Sequence, residues 1–119
     1  MRRFLFLFLL IFIAACNTNT INFDNSKLLS ENFVKNSETY KFDGISESLQ
    51  YTGYDQLDCN NCYNFRYEYD SSQIGYGNRQ EQLLAQIITH HTIIINIENG
   101  QVISAIVDNK WDEINQKEI

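Results

Sequence analysis

The sequence predicts an α+β fold: a small antiparallel sheet of about four or five strands with one to three short helices, after a cleaved signal peptide. Three observations predict it. Tyr63, Phe65, Tyr67 and Tyr69 alternate with Asn64, Arg66, Glu68 and Asp70, the period of two of a half-buried strand. Asn99-Gly100 joins two runs of β-branched residues, and both central positions of a type I′ hairpin turn need φ > 0, which Asn and Gly tolerate. Apolar residues at helical spacing precede these strands and follow them, which points to helices beside an antiparallel sheet.

The chain opens MRRFLFLFLLIFIAAC. Arg2 and Arg3 precede the unbroken apolar residues 4–13, and Ala14 and Ala15 are small. Positive, apolar, then small is the pattern of an export signal. A membrane-spanning helix needs about 20 apolar residues, so this run is too short. It is no core helix either, because it has no polar face and the following NTNTINFDNS offers no partner. The quartet Ile13-Ala14-Ala15-Cys16 resembles the lipobox of bacterial lipoproteins. That resemblance implies a diacylglyceryl group on the Cys16 thiol, cleavage before Cys16 and acylation of the new amino terminus. An ordinary cleaved signal is the alternative. Asn17 stands where an aspartate would favour inner-membrane retention, so the resemblance favours the outer membrane or periplasmic face. The organisation expected is a signal peptide at 1–15, a polar tether at 16–26 and a single small domain at 27–119.

Nine basic residues face fifteen acidic ones, net −6. Loss of Arg2 and Arg3 with the signal leaves seven basic residues and a net charge of −8. Without a basic cluster, binding to nucleic acid by phosphate neutralisation is excluded. So is adhesion to anionic lipid through a basic patch. The membrane is reached through the lipid on Cys16, and an acidic surface keeps the domain soluble beside it. A domain of this size is marginal on burial alone, and a disulfide would help it.

Along the chain, KLLSENFVKN (27–36) predicts a short helix capped by Asp24, Asn25 or Ser26. TYKFDGI (39–45) predicts a strand ending at Asp43-Gly44, and SLQYTGY (48–54) a strand closed by a turn around Gly53. SSQIGYGN is a loop. RQEQLLAQII (79–88) fits a helix capped by Asn78 or the start of a longer strand. A two-residue hairpin loop pairs Glu98 with Gln101 and Ile97 with Val102, and then sets Ile95 against Ser104 and Ile93 against Ile106. That puts Ile93, Ile95, Ile97, Val102 and Ile106 on the core face. The other face is not fully polar, and a C-terminal helix from Asp108, with Trp111 and Ile114, would cover it.

Cys59-Asn60-Asn61-Cys62 is the pattern closest to a chemistry. Two cysteines with two residues between them can form a reducible centre. A thioredoxin-type enzyme is disfavoured: the chain has no proline for a cis-proline loop, and the pair precedes a strand rather than opening a helix. A small structural disulfide between Cys59 and Cys62 is the preferred reading. A metal site from Cys59, Cys62 and one of His90 and His91, completed by Asp55, Asp58 or a residue elsewhere, is a third, because adjacent strand residues point to opposite faces and only one histidine could join. The ladder Tyr63, Phe65, Tyr67, Tyr69, extended by Tyr40, Tyr51, Tyr54 and Tyr76, is either core, the preferred reading, or a stacking face for sugar or peptide. Gly75-Tyr76-Gly77 lacks a following phosphate-binding helix and reads as a turn. Asp108, Asp112 and Glu113 near Trp111 form a polar edge rather than an acid–base pair. No nucleophile elbow is present.

Cys62-Tyr63-Asn64-Phe65, Gly75-Tyr76-Gly77-Asn78-Arg79, AQIITHHT, the Asn-Gly hairpin and Asp108-Asn109-Lys110-Trp111-Asp112 together are similar to small bacterial lipoproteins of unknown function. The resemblance spans residues 58–116 and implies no activity and no catalytic residue. The expectation is a lipid-anchored envelope protein with a small binding or structural domain, no cofactor, and an envelope protein, peptide or polymer as partner. The alternative is a thiol–disulfide redox protein using Cys59 and Cys62.

Overall fold

An aromatic strand and an isoleucine strand pair along their whole length, and the other elements are arranged around them. The computed structural model describes residues 22–119. The expected signal peptide, Cys16 and most of the expected tether lie outside the described residues. Those described form six strands: β1 (Gln50–Gln56), β2 (Cys62–Ser71), β3 (Thr89–Glu98), β4 (Gln101–Val107), β5 (Trp111–Asp112) and β6 (Lys117–Glu118). Their order in the sheet is their order in the chain, and every pairing is antiparallel. Two α-helices, α1 (Phe23–Asn36) and α2 (Glu38–Asp43), accompany the sheet. The fold is thus α+β with a small antiparallel sheet, its strand number one above the upper expectation because two short strands replace the C-terminal helix.

The aromatic ladder is core. β2 and β3 run in register from Cys62↔Glu98 to Ser71↔Thr89, which brings Tyr63, Phe65, Tyr67 and Tyr69 beside Ile97, Ile95, Ile93 and His91. Phe65, Tyr67 and Tyr69 and the three isoleucines are at most 1 % exposed, so the ladder offers no stacking face to a ligand. Phe65 and each of the three isoleucines contribute roughly 1.5–3 kcal/mol through burial. Helix α1 lies against it. Asn22 caps the helix through the Asn25 N–H, so it starts four residues earlier than the spacing of Leu28, Leu29 and Phe33 predicts. Phe23 packs its ring on Tyr54, Tyr63 and Phe65, Val34 is fully buried, and the Ser30 hydroxyl meets the Tyr67 hydroxyl at 2.7 Å.

Two bulges set which residues reach this core. In β1 the register slips between Tyr51 and Gly53, so Gly53 lies inside the strand rather than closing it. Tyr51 and Tyr54, three apart, therefore both face the helices, opposite Tyr67 and Phe65. In β4 the register slips past Val102, after which Ile95 meets Ala105 and Ile93 meets Val107. The expected pairs Ile95–Ser104 and Ile93–Ile106 are replaced. Ala105 and Val107 are buried, while Ile103 is 49 % exposed and Ile106 turns to the outer face.

Three further expectations change. Residues 39–45 are mostly helical because Glu113, far along the chain, accepts from the Thr39 N–H at 3.0 Å and its hydroxyl at 2.6 Å, satisfying the first turn of α2. Residues 79–88 are neither helix nor strand. They are held by Arg79, by Ile74 N–H to the Ala85 carbonyl and by Gln86 to Gln73, with Leu83 and Ile87 exposed. The C-terminal segment cannot continue as helix because Asp108, Asn109 and Gln116 adopt φ of 54°, 58° and 54°. It turns twice and adds β5 and β6 instead.

Candidate functional site

Three places bring chemically capable groups together. The first is an open groove of about 540 Å³ between α1, α2 and the β1 edge. Tyr51, Leu49 and Tyr40 form apolar walls, Tyr67 lies at its floor, and the Glu31–Lys35 ion pair (2.9 Å) stands at the rim. The β1 bulge holds Tyr51 here. Lys27 sits 4.1 Å above its ring. Burial pushes the Tyr51 hydroxyl upward and the Tyr67 hydroxyl to about 12, so both stay neutral near pH 7. The groove therefore offers aromatic faces with one balanced pair of charges, a surface for an uncharged chain that carries both apolar and hydrogen-bonding groups.

The second place is the polar end of the sheet, where His91 Nδ1 meets Asp108 Oδ2 at 2.7 Å. Asp108 also accepts from the Thr92 N–H (2.8 Å) and the Tyr76 hydroxyl (3.0 Å). Burial raises the Asp108 carboxyl, but the hydrogen bonds from His91, Thr92 and Tyr76 outweigh it and hold it below the usual carboxylate range. Burial, followed by Asp108 as acceptor, lifts the Tyr76 hydroxyl to about 12. Such a dyad suggests a general base, but His91 is 1 % exposed and is sheathed by Tyr69 and Tyr76. Its Nε2 is buried and meets no partner, nucleophile included, among the described residues. The dyad ties the β4–β5 turn to β3. Beside it, Gly75-Tyr76-Gly77 is a packing turn: Tyr76 stacks on Trp111 at 5.5 Å, and a Cβ at Gly77 would strike Trp111 and Gln116.

His90, the neighbour of His91, points to the outer face, as alternation requires. Its ring bridges Asp70 (2.8 Å) and Glu68 (2.9 Å). The hydrogen bond to Asp70, with help from Glu68, raises its pKa above the ordinary histidine value. Asp112 and Glu113 do not act together. Asp112 binds Asn115 and the Ile114 N–H on the surface, whereas Glu113 is buried on Thr39.

The third place is the disulfide Cys59–Cys62, formed as expected. Cys59 is exposed and Cys62 fully buried. The third reading, which adds a histidine to this pair, is overturned by register. Cys62 pairs with Glu98 at one end of β3, while His90 and His91 stand at the other end, opposite Asp70 and Tyr69. Glu98, which the sequence reading passed over, is the acidic residue beside the sulfurs.

No family model, curated protein or solved structure matches the chain. Among the described residues, no helix is long and apolar enough to cross a membrane.

Proposed function

We propose that this chain is a lipid-anchored protein of the bacterial cell envelope, held by acyl chains on Cys16. Its small domain binds an envelope partner without catalysing a reaction. The observation that carries the binding role is the Tyr40–Leu49–Tyr51 groove. Its apolar walls and near-neutral rim suit an extended peptide or glycan segment better than a charged ligand. The signal pattern at 1–15 and Asn17 favour the outer membrane or periplasmic face.

The test uses the full chain in cells. Cys16→Ser is expected to leave an uncleaved, unacylated precursor, and normal processing of it would sink the anchor. A photo-crosslinking residue at Leu49 is expected to capture an envelope peptide or glycan fragment. Tyr51→Ala should weaken that capture by about tenfold, the effect of losing an aromatic contact at the centre of a binding surface. Capture unchanged by Tyr51→Ala, with the fold intact by circular dichroism, would remove the groove from the proposal.

The exposure of Cys59 favours a second reading, a thiol–disulfide protein. It requires disulfide-exchange activity that Cys59→Ser abolishes. The nearby Glu98 carboxylate works against it, because a negative neighbour opposes thiolate formation.

A further inference from the structure

The loop that carries the two cysteines and the Asn99-Gly100 turn are locked side by side. The Asn99 N–H donates to the Asn61 carbonyl at 2.9 Å, and the Leu57 N–H donates to the Cys62 carbonyl at 2.8 Å. Asn61 takes a φ of 59°, which folds the loop back toward β3. As a result both sulfurs and a carboxylate oxygen of Glu98 lie within 4.8 Å of one another. Glu98 does not drift into this position: it is the register partner of Cys62 and the last residue of β3.

These three groups have opposite consequences for two chemistries. The carboxylate disfavours a free thiolate and so a nucleophilic thiol. Beside a cation the same negative charge is favourable. Two thiolates and one carboxylate are donors that zinc accepts, and three protein ligands with one open position are the usual arrangement of an accessible zinc site. We propose that reduction of the Cys59–Cys62 disulfide opens a site for a divalent ion of the zinc class, ligated by Cys59, Cys62 and Glu98.

The reductant is a thiol. Two equivalents of thiol pass two electrons and two protons to the disulfide, leaving Cys59 and Cys62 as thiols and the reductant as its own disulfide. The ion then displaces the two thiol protons to solvent. Because Cys59 is exposed, water reaches the fourth position. The oxidised chain holds its sulfurs in the S–S bond and has no thiolate to offer, so the site exists in one redox state only.

The experiment uses the full chain in detergent, reduced with a phosphine, freed of reductant without air and titrated with cobalt as a spectroscopic stand-in for zinc. The reduced chain is expected to show thiolate-to-cobalt charge-transfer absorption saturating at one ion per chain, displaced by zinc. The oxidised chain should show none. Glu98→Gln should weaken cobalt binding by about tenfold or more while leaving the oxidised chain's thermal midpoint unchanged. Zinc should raise the midpoint of the reduced chain, and the Cys59→Ser, Cys62→Ser double variant should lose that response. Absence of the charge-transfer band, a Glu98→Gln variant that binds as tightly as the parent, or a reduced chain that unfolds and is not restored by zinc would each overturn the proposal. The groove plays no part in these readouts, so their failure leaves the binding role standing.

Discussion

At the scale of single residues, Arg79 is the side chain with most at stake. Its guanidinium is fully buried and paired with Asp43 at 2.7 Å. Nε donates to the Gly77 carbonyl, Nη1 to that of Gly75 and Nη2 to that of Thr39. One planar fork thus joins α2 to the loop before β3, with Phe42 against its face at 4.7 Å. Arg79→Met is expected to destabilise the chain by about 3–5 kcal/mol, because the Asp43 carboxylate, left with only the Gln73 N–H and the Ser72 hydroxyl, loses its buried counter-charge and the carbonyls lose their donor. Arg79→Lys should recover little, since a point charge cannot reach acceptors set around a fork. Urea denaturation measures both, and a loss below about 1 kcal/mol for Arg79→Met would contradict this account.

At the scale of elements, the β3–β4 hairpin depends on two backbone positions with positive φ, 52° at Asn99 and 79° at Gly100. Gly100→Ala should cost about 1–2 kcal/mol by forcing a Cβ into the left-handed region. It should also loosen the Asn99–Asn61 hydrogen bond, which amide exchange would detect as faster exchange at Asn99. This hairpin and the aromatic strand were legible because their signals are local, an Asn-Gly pair and a period of two. The bulges were not, because nothing in IENGQVISAIV announces that Val102 and Ala105 will share a face. The sequence TYKFDGI reads as a strand by local preference and becomes a helix because Glu113 and Arg79 supply its hydrogen bonds from a distance. The same holds for the sites. The disulfide followed from spacing, whereas the groove depends on where α1 and α2 dock. The His91–Asp108 pair had no such signal: the bulge sets Asp108, next after the Ile93–Val107 pair, against Thr92, and its side chain reaches His91 from there.

At the scale of the whole molecule, two ionisable contacts bound the pH range of greatest stability. His90 is raised above its unfolded value by Asp70 and Glu68, so its contribution is complete below about pH 6.5 and is lost as pH rises through the folded value. Asp108 is lowered, so its contribution is present above about pH 3.9 and is lost as pH falls through the folded value. Stability is therefore expected to be highest between about pH 4 and 6.5. The alkaline decline should be shallow, under about 1 kcal/mol, because the His90 side chain is 58 % exposed and its pairs are screened. Thermal midpoints across pH check this: His90→Gln should flatten the alkaline side, and Asp108→Asn the acid side. An unchanged profile in either variant would refute the assignment for that residue.

The strand order, identical to the order of synthesis, has a consequence for how such a chain takes shape. Each strand joins the one that emerged just before it, so the sheet can grow by closures between chain neighbours, the longest across residues 72–88, which keeps contact order lower than crossovers would. What cannot form early is the bond from Thr39 to Glu113, which spans most of the domain. The Glu113 cap on α2 therefore waits for the last strands, which fasten the first third of the described domain by its end.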